Sequence, residues 1–144
     1  MEYRFLGSSG LRVSALSFGS WVTFGTQFGE ETAHDCMKAA FDAGVNFFDN
    51  AEGYAGGQSE TIMGSVVKKA GWKRSDLVVS TKIFWGGRGP NDSGLSRKHI
   101  IEGTNAALAG LAQNASTSDS ARRAEFSLMV LLTSFISASC LTCD

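Results

Sequence analysis

The chain has 144 residues, 43% of them hydrophobic and 19% charged, with 13 Lys and Arg against 14 Asp and Glu for a net charge of -1. That length supports one domain with a sizeable core, and the balanced charge excludes the basic surface that nucleic-acid phosphates require. The Cys count is three, with two Cys at the extreme end, which argues against a disulfide framework. "MEYRFLGSSGLRV" lacks the apolar core of a secretory signal, so a reduced, cytoplasmic protein is expected.

In chain order, "YRF" and "LRV" flank "LGSSG" and predict a hairpin with a glycine-containing turn. A first strand follows at Ala15–Gly19, then a helix over Glu30–Ala43 with Ala33, Cys36, Met37 and Ala40 on its apolar face and Gly44 as its stop. The second strand, Val45–Asp49, leads through "NAEGYAGGQ" to a helix opening at Ser59, which buries Ile62, Met63, Val66, Val67 and Ala70 and ends at Gly71. The third strand, Asp76–Lys82, is followed by the long loop "IFWGGRGPNDSG" and a helix capped by Ser96, with Ile100, Ile101, Ala107, Leu108 and Leu111 inward. His34 and His99 fall in the first and third helices and read as surface residues.

After Leu111 the pattern changes. Residues 112–125, "AQNASTSDSARRAE", have the composition of a linker, and Phe126–Leu141 is a run of sixteen residues without a charge. This stretch does not read as a fourth strand–helix unit. It falls short of the ~20 residues of a membrane span and is rich in Ser and Thr, which reads against an anchor. Cys140 and Cys143 have C-x-x-C spacing without a thioredoxin-like context, so no redox or metal site is assigned there. The N-x-S triplets at Asn91 and Asn114 carry no weight without a secretory route.

Strands alternating with helices predict right-handed β–α–β units around a parallel sheet. A hairpin ahead of them suits a barrel with one plugged end better than an open doubly wound sheet, because no G-x-G-x-x-G follows the first strand. The expected fold class is therefore α/β, the N-terminal part of a (β/α)8 barrel: a hairpin plus about three β–α units. In such barrels chemistry sits at the C-terminal ends of strands. Asp49 ends the second strand, Tyr54 lies in the loop after it and Lys82 ends the third. An ammonium beside a phenol favours the phenolate, a carboxylate orients the ammonium, and the trio then suits proton donation to a carbonyl oxygen receiving a hydride. The plainer reading is also open on spacing alone: an Asp at a strand end is ordinarily a turn former or cap, and a Lys there is ordinarily solvated.

"FFDNAEGYAGGQSETIMG" resembles the aldo-keto reductase signature, and "VVSTKIFWGG" is similar to the segment that bears that family's catalytic Lys. With "SFGSWVTFG" and "GLSRKHIIEGTNAAL", the resemblance narrows to the branch that includes the β subunits of voltage-gated potassium channels, and it covers about residues 3–111. The resemblance implies that Asp49, Tyr54 and Lys82 are three members of a catalytic tetrad, with Tyr54 the general acid. It implies cofactor contacts at Ser20, Trp21, Gln27 and Asp49, a carbonyl pocket lined by Trp85, NADPH as hydride donor, an aldehyde or ketone as substrate, and no metal. It also implies an alternative, a non-enzymatic subunit bound to the cytoplasmic domain of a potassium channel or to related subunits.

Two departures from the family pattern are visible. The fourth tetrad member, His or in some channel subunits Asn, belongs to a fourth strand, and "AQNASTSDSARRAEF" stands in its place without a His or a matching strand. The fold typically takes about 250 residues, so the sequence reads as 1–111, a partial reductase domain truncated before barrel closure, followed by 112–144, an atypical linker and tail. Three strands leave an unpaired edge, and inner faces around Phe47 and Val79 lose their packing layers.

Overall fold

The structure, a computed structural model, describes residues 1–111 and 128–132. Strand β1 (Tyr3–Phe5) pairs antiparallel with β2 (Arg12–Ser14), as the flanking of "LGSSG" predicts. The hairpin docks on the rest of the molecule through polar contacts. Asn46 accepts from Ser14 N–H at 2.7 Å and donates its amide to Arg12 O at 3.0 Å, while the Tyr3 hydroxyl donates to Gly44 O at 2.8 Å.

A parallel sheet then follows in the order β3 (Phe18–Gly19), β4 (Phe47–Asp49), β5 (Val78–Ile83) and β6 (Leu128–Leu132). The first strand starts at Phe18, three residues after the predicted Ala15, and β4 and β5 each begin two residues later than expected. Between the strands run α1 (Glu30–Asp42), α2 (Gln58–Ala70) and α3 (Arg97–Leu111). Acidic Glu30 and Glu31 open α1, and basic Lys68 and Lys69 close α2, both in the sense the helix dipole favours. At α3 the Ser96 hydroxyl accepts the N–H of His99 at 3.1 Å, the predicted cap.

Register settles which side chains share a face. Phe47 pairs with Val78 and Asp49 with Ser80, so with the two-residue period of a strand Phe47, Asp49, Val78, Ser80 and Lys82 point one way. Phe48, Val79, Thr81 and Ile83 point the other way, toward the helices, and all four are buried. Phe48 and Val79 pack with Met37, Met63, Val66 and Leu111 in the core, with Trp72 stacked on Phe41 at 4.4 Å beside it.

Five expectations are corrected. Val79 belongs to the helix-facing core, not the opposite face, because it is one residue out of phase with Val78 and Ser80. Cys36 is exposed, since α1 turns Ala33, Met37, Ala40 and Phe41 inward, and Ile101 is exposed on α3. His99 is 5% exposed and not a surface residue. Finally, a strand does follow α3: β6 pairs in parallel with β5 over Val79–Leu128 through Ile83–Leu132. Its uncharged run "LMVLL" suits a strand beside a buried neighbour, where alternation is not expected. Strands β3–β6 form an open sheet of four, separate from the β1–β2 hairpin, with no closed barrel among the described residues. The remainder of 112–144, including Asn114, Cys140 and Cys143, lies outside the described residues.

Candidate active site

Asp49, Asn50, Tyr54 and Lys82 converge at the C-terminal rim of β4 and β5. The sheet register brings the Lys82 ammonium over the end of β4, where it donates to Asp49 Oδ2 at 2.5 Å, to Asn50 O at 2.9 Å and to the Tyr54 hydroxyl at 3.1 Å. Three acceptors use the three donors of an ammonium. Lys82 also lies 5.0 Å from the Tyr54 ring centroid, so the ring's electron density faces the cation. Ser80, two residues before Lys82 on the same face, donates its hydroxyl to the other Asp49 oxygen at 2.7 Å. Asp49 is thereby held by one donor on each oxygen and is turned toward the cation.

Ser20 acts from the residue that follows β3. Its N–H and its hydroxyl both donate to Asp49 O, at 3.1 and 2.9 Å, and the residue is buried. The hydroxyl is thus spent on the backbone of β4. Trp21 follows and stacks on Tyr54 with ring centroids 6.2 Å apart and planes within 18°. Its exposure of 68% is high for a tryptophan. The chain is held there by a tight turn in which Thr23 N–H donates to Trp21 O at 2.7 Å and Val22 takes a φ of 57°. A β-branched residue at positive φ is strained, and such strain concentrates at functional sites.

Two cavities meet at Trp21, Gly53 and Tyr54. One of about 450 Å³ is lined by Trp21, Ala51, Gly53, Tyr54 and Trp85, with Trp85 half exposed as its far wall. The other, about 310 Å³, continues past Val22, Thr26 and Gln27. The structure therefore brings together Asp49, Tyr54, Lys82, Trp21 and Trp85, and places Gln27 in the adjoining cavity. His34 lies on α1, paired with Asp35 and away from the rim.

Several polar residues beneath the rim are assigned no part in the site by the sequence. Glu52 and His99 form a buried pair at 3.0 Å, and Glu52 also accepts the N–H of Phe84. Glu60 on α2 accepts the Thr81 hydroxyl at 2.5 Å. Burial pushes the Glu60 carboxyl above its usual range, opposed by the Thr81 hydrogen bond and reinforced by the negative Glu52 nearby. The available signal was positional. Glu60 and Thr81 sit in phase with the buried stripes of their elements, where an acid demands a partner.

Residues 15–115 match the model of the aldo/keto reductase family. The chain belongs to that family. It is 62% identical over 108 residues to proteins described as "Probable voltage-gated potassium channel subunit beta" from Arabidopsis thaliana and from Oryza sativa subsp. japonica. Each match covers 75% of this chain and 33% of the relative, so the chain spans about a third of the length of these curated relatives. The aldo/keto reductase match contains the whole rim, from Ser20 to Lys82, together with all three helices. No helix among the described residues is long and apolar enough to cross a membrane, and none of their His, Cys, Asp and Glu side chains cluster as a metal site.

Proposed function

We propose that the rim is the proton-donating half of an NADPH-dependent carbonyl reductase site, on a sheet that is the N-terminal part of a (β/α)8 barrel. The observation that carries this reading is the Lys82 ammonium, bonded at once to Asp49 at 2.5 Å and to the Tyr54 hydroxyl at 3.1 Å beside an aromatic cavity. A carbonyl oxygen placed in that cavity meets the Tyr54 hydroxyl. The phenol gives up its proton to the oxygen, and the phenolate left behind is stabilised by Lys82, which Asp49 and Ser80 hold in place. Trp21 and Trp85 form two walls of the cavity that would take the carbonyl. In this reading the residues with roles are Asp49, Tyr54 and Lys82 in proton transfer, Trp85 at the substrate, and residues 1–111 as the recognisable domain.

NADPH, when bound, would supply the hydride for the carbonyl carbon. The residues present fit the ring end of such a cofactor: the exposed face of Trp21 offers a stacking plane and the Gln27 amide lies exposed in the adjoining cavity. Ser20 would contribute through the backbone it locks. The two cavities have no Lys or Arg among the residues that line them, so the phosphates are assigned to no residue here.

A second reading rests on the relatives' description as channel β subunits: a cytoplasmic, non-enzymatic partner of a potassium channel or of related subunits, acting in ion transport. Two measurements separate the readings. Titrating NADPH into the full chain should quench Trp fluorescence with saturation in the micromolar range, against a urea-unfolded control. Carbonyl-dependent NADPH oxidation should then fall by about 10²–10⁴-fold in Tyr54→Phe, the usual contribution of a general acid. A folded chain that shows no saturable quenching and no turnover overturns the reductase reading, and co-assembly with a channel's cytoplasmic domain would then favour the partner.

A further inference from the structure

The pair formed by Glu52 and His99 lies directly behind the rim, and the proton-transfer reading makes no use of it. Both side chains are buried, at 7% and 6% exposure, and they are 47 residues apart in sequence. A buried carboxylate is costly unless its lone pairs are used. Here Glu52 Oε1 accepts from the backbone N–H of Phe84 and lies 3.0 Å from His99 Nε2, and toward an ionised carboxylate, which only accepts, the imidazole N–H is the donor. Glu52 N–H in turn donates to Lys82 O at 3.2 Å. One residue thus ties the loop after β4 to the end of β5 at Lys82 and to Phe84 just beyond it, and His99 ties both to α3.

The neighbours show how tightly this is built. A Cβ on Gly103 would lie 2.7 Å from Glu52 Oε2 and 2.9 Å from Ile83, and one on Gly86 would lie 2.8 Å from the His99 ring. The next residue after Glu52 is Gly53, where a Cβ would lie 3.1 Å from Trp85 O. Tyr54 follows. The pair therefore stands one residue from the contact between the Tyr54 loop and the Trp85 segment.

We propose that Glu52 and His99 are positioning residues, a buried carboxylate–imidazole clamp that holds the Trp85 segment against the Tyr54 loop and so sets the width of the cavity beneath the phenol. Its importance for turnover rests on the reading of Tyr54 as proton donor; the clamp itself does not. His99 acts through Glu52, and Glu52 acts through the backbone of Phe84 and Lys82.

The test is fluorine NMR on the full chain labelled with 5-fluorotryptophan. Its three Trp residues are assigned by single Trp→Phe changes. Trp85 reports the cavity wall, Trp21 the opposite wall, and Trp72, stacked on Phe41 in the core, the fold as a whole. In His99→Ala the Trp85 resonance should move by more than its linewidth and broaden, while Trp72 stays. His99→Gln, whose amide can still donate to Glu52, should return Trp85 toward its original position. Glu52→Gln, which keeps shape but weakens acceptance from two donors, should move Trp85 in the same direction as His99→Ala.

An unmoved Trp85 in folded His99→Ala and Glu52→Gln overturns the clamp. So does a Trp72 shift as large as that of Trp85, which would mean general loosening. If His99→Ala does not fold, His99→Gln and Glu52→Gln decide by the same criterion, and failure of all three to fold overturns the proposal by making the pair a requirement of the fold. No cofactor enters this experiment. A shifted Trp85 without any NADPH turnover would remove the reductase reading and leave the clamp standing.

Discussion

The two faces of the sheet are finished to different degrees. Toward the helices, Phe48, Val79, Thr81 and Ile83 are closed over by α1, α2 and α3, and Thr81 has its partner in Glu60. On the opposite face, Phe47, Val78, Asp49 and Lys82 are only half-buried, and only Ser80 is fully covered. The difference teaches where stability and chemistry are separated in this chain. Apolar burial on one side holds the strands in register, and that register delivers a carboxylate and an ammonium to the other side, where solvent and ligand can reach them.

Emptying the closed face should have the largest effect. Phe48→Ala should cost about 3–5 kcal/mol, the usual range for a buried aromatic, whereas Phe47→Ala, on the half-buried face one residue earlier, should cost less than half as much. Urea unfolding followed by circular dichroism measures both, and equal losses would mean that the two faces contribute alike. A smaller effect is expected from overfilling the closed side. A Cβ on Gly64 would stand 2.6 Å from the carbonyl oxygens of both Gly110 and Leu111, where α2 meets α3. Since the clash is with backbone, Gly64→Ala should destabilise by about 1–3 kcal/mol, and a variant as stable as the original would place the two helices further apart.

The smallest effect concerns Glu60, whose carboxyl is buried beneath the closed face. Burial raises the Glu60 carboxyl above its ordinary range, so in the interval between its ordinary and raised values the folded state binds the proton more tightly than the unfolded state. Stability therefore falls as pH rises through that interval, and the penalty is fully present above the raised value. Glu60→Gln, which keeps an oxygen for the Thr81 hydroxyl, should be more stable than the original at neutral pH, with the gap closing toward acid. Thermal unfolding of both proteins from neutral to acidic pH checks this, and a gap independent of pH would show that ionisation of Glu60 is not its source.

Parts of this arrangement were legible in the residues and parts were not. The alternation of "VNFFD" and "DLVVSTK" with helical stretches announced parallel β–α units, and Ser96 announced the start of α3 because a hydroxyl at that position satisfies a free helix N–H. Asp49, Tyr54 and Lys82 were legible as a trio because strand ends share a rim. His99 was misread, since helical periodicity carries no information on whether a buried acid waits across the loop. β6 was misread because its uncharged run has neither alternation nor a helical period, and only a neighbouring strand can distinguish such a run from a loose apolar tail.

Periodicity, capping and turn chemistry are local, and they sufficed for the hairpin, the first three β–α units in their order, the family and the residue types at the rim, but not for β6. Only the tertiary structure decided that Ser80 steadies Asp49, that Ser20 spends its hydroxyl on the β4 backbone, and that Glu52 and His99 meet 47 residues apart. Those contacts depend on strand register and on where a helix lies over the sheet. A shift of one residue in register would turn Asp49 and Lys82 away from each other, and that constraint belongs to no single stretch of the chain.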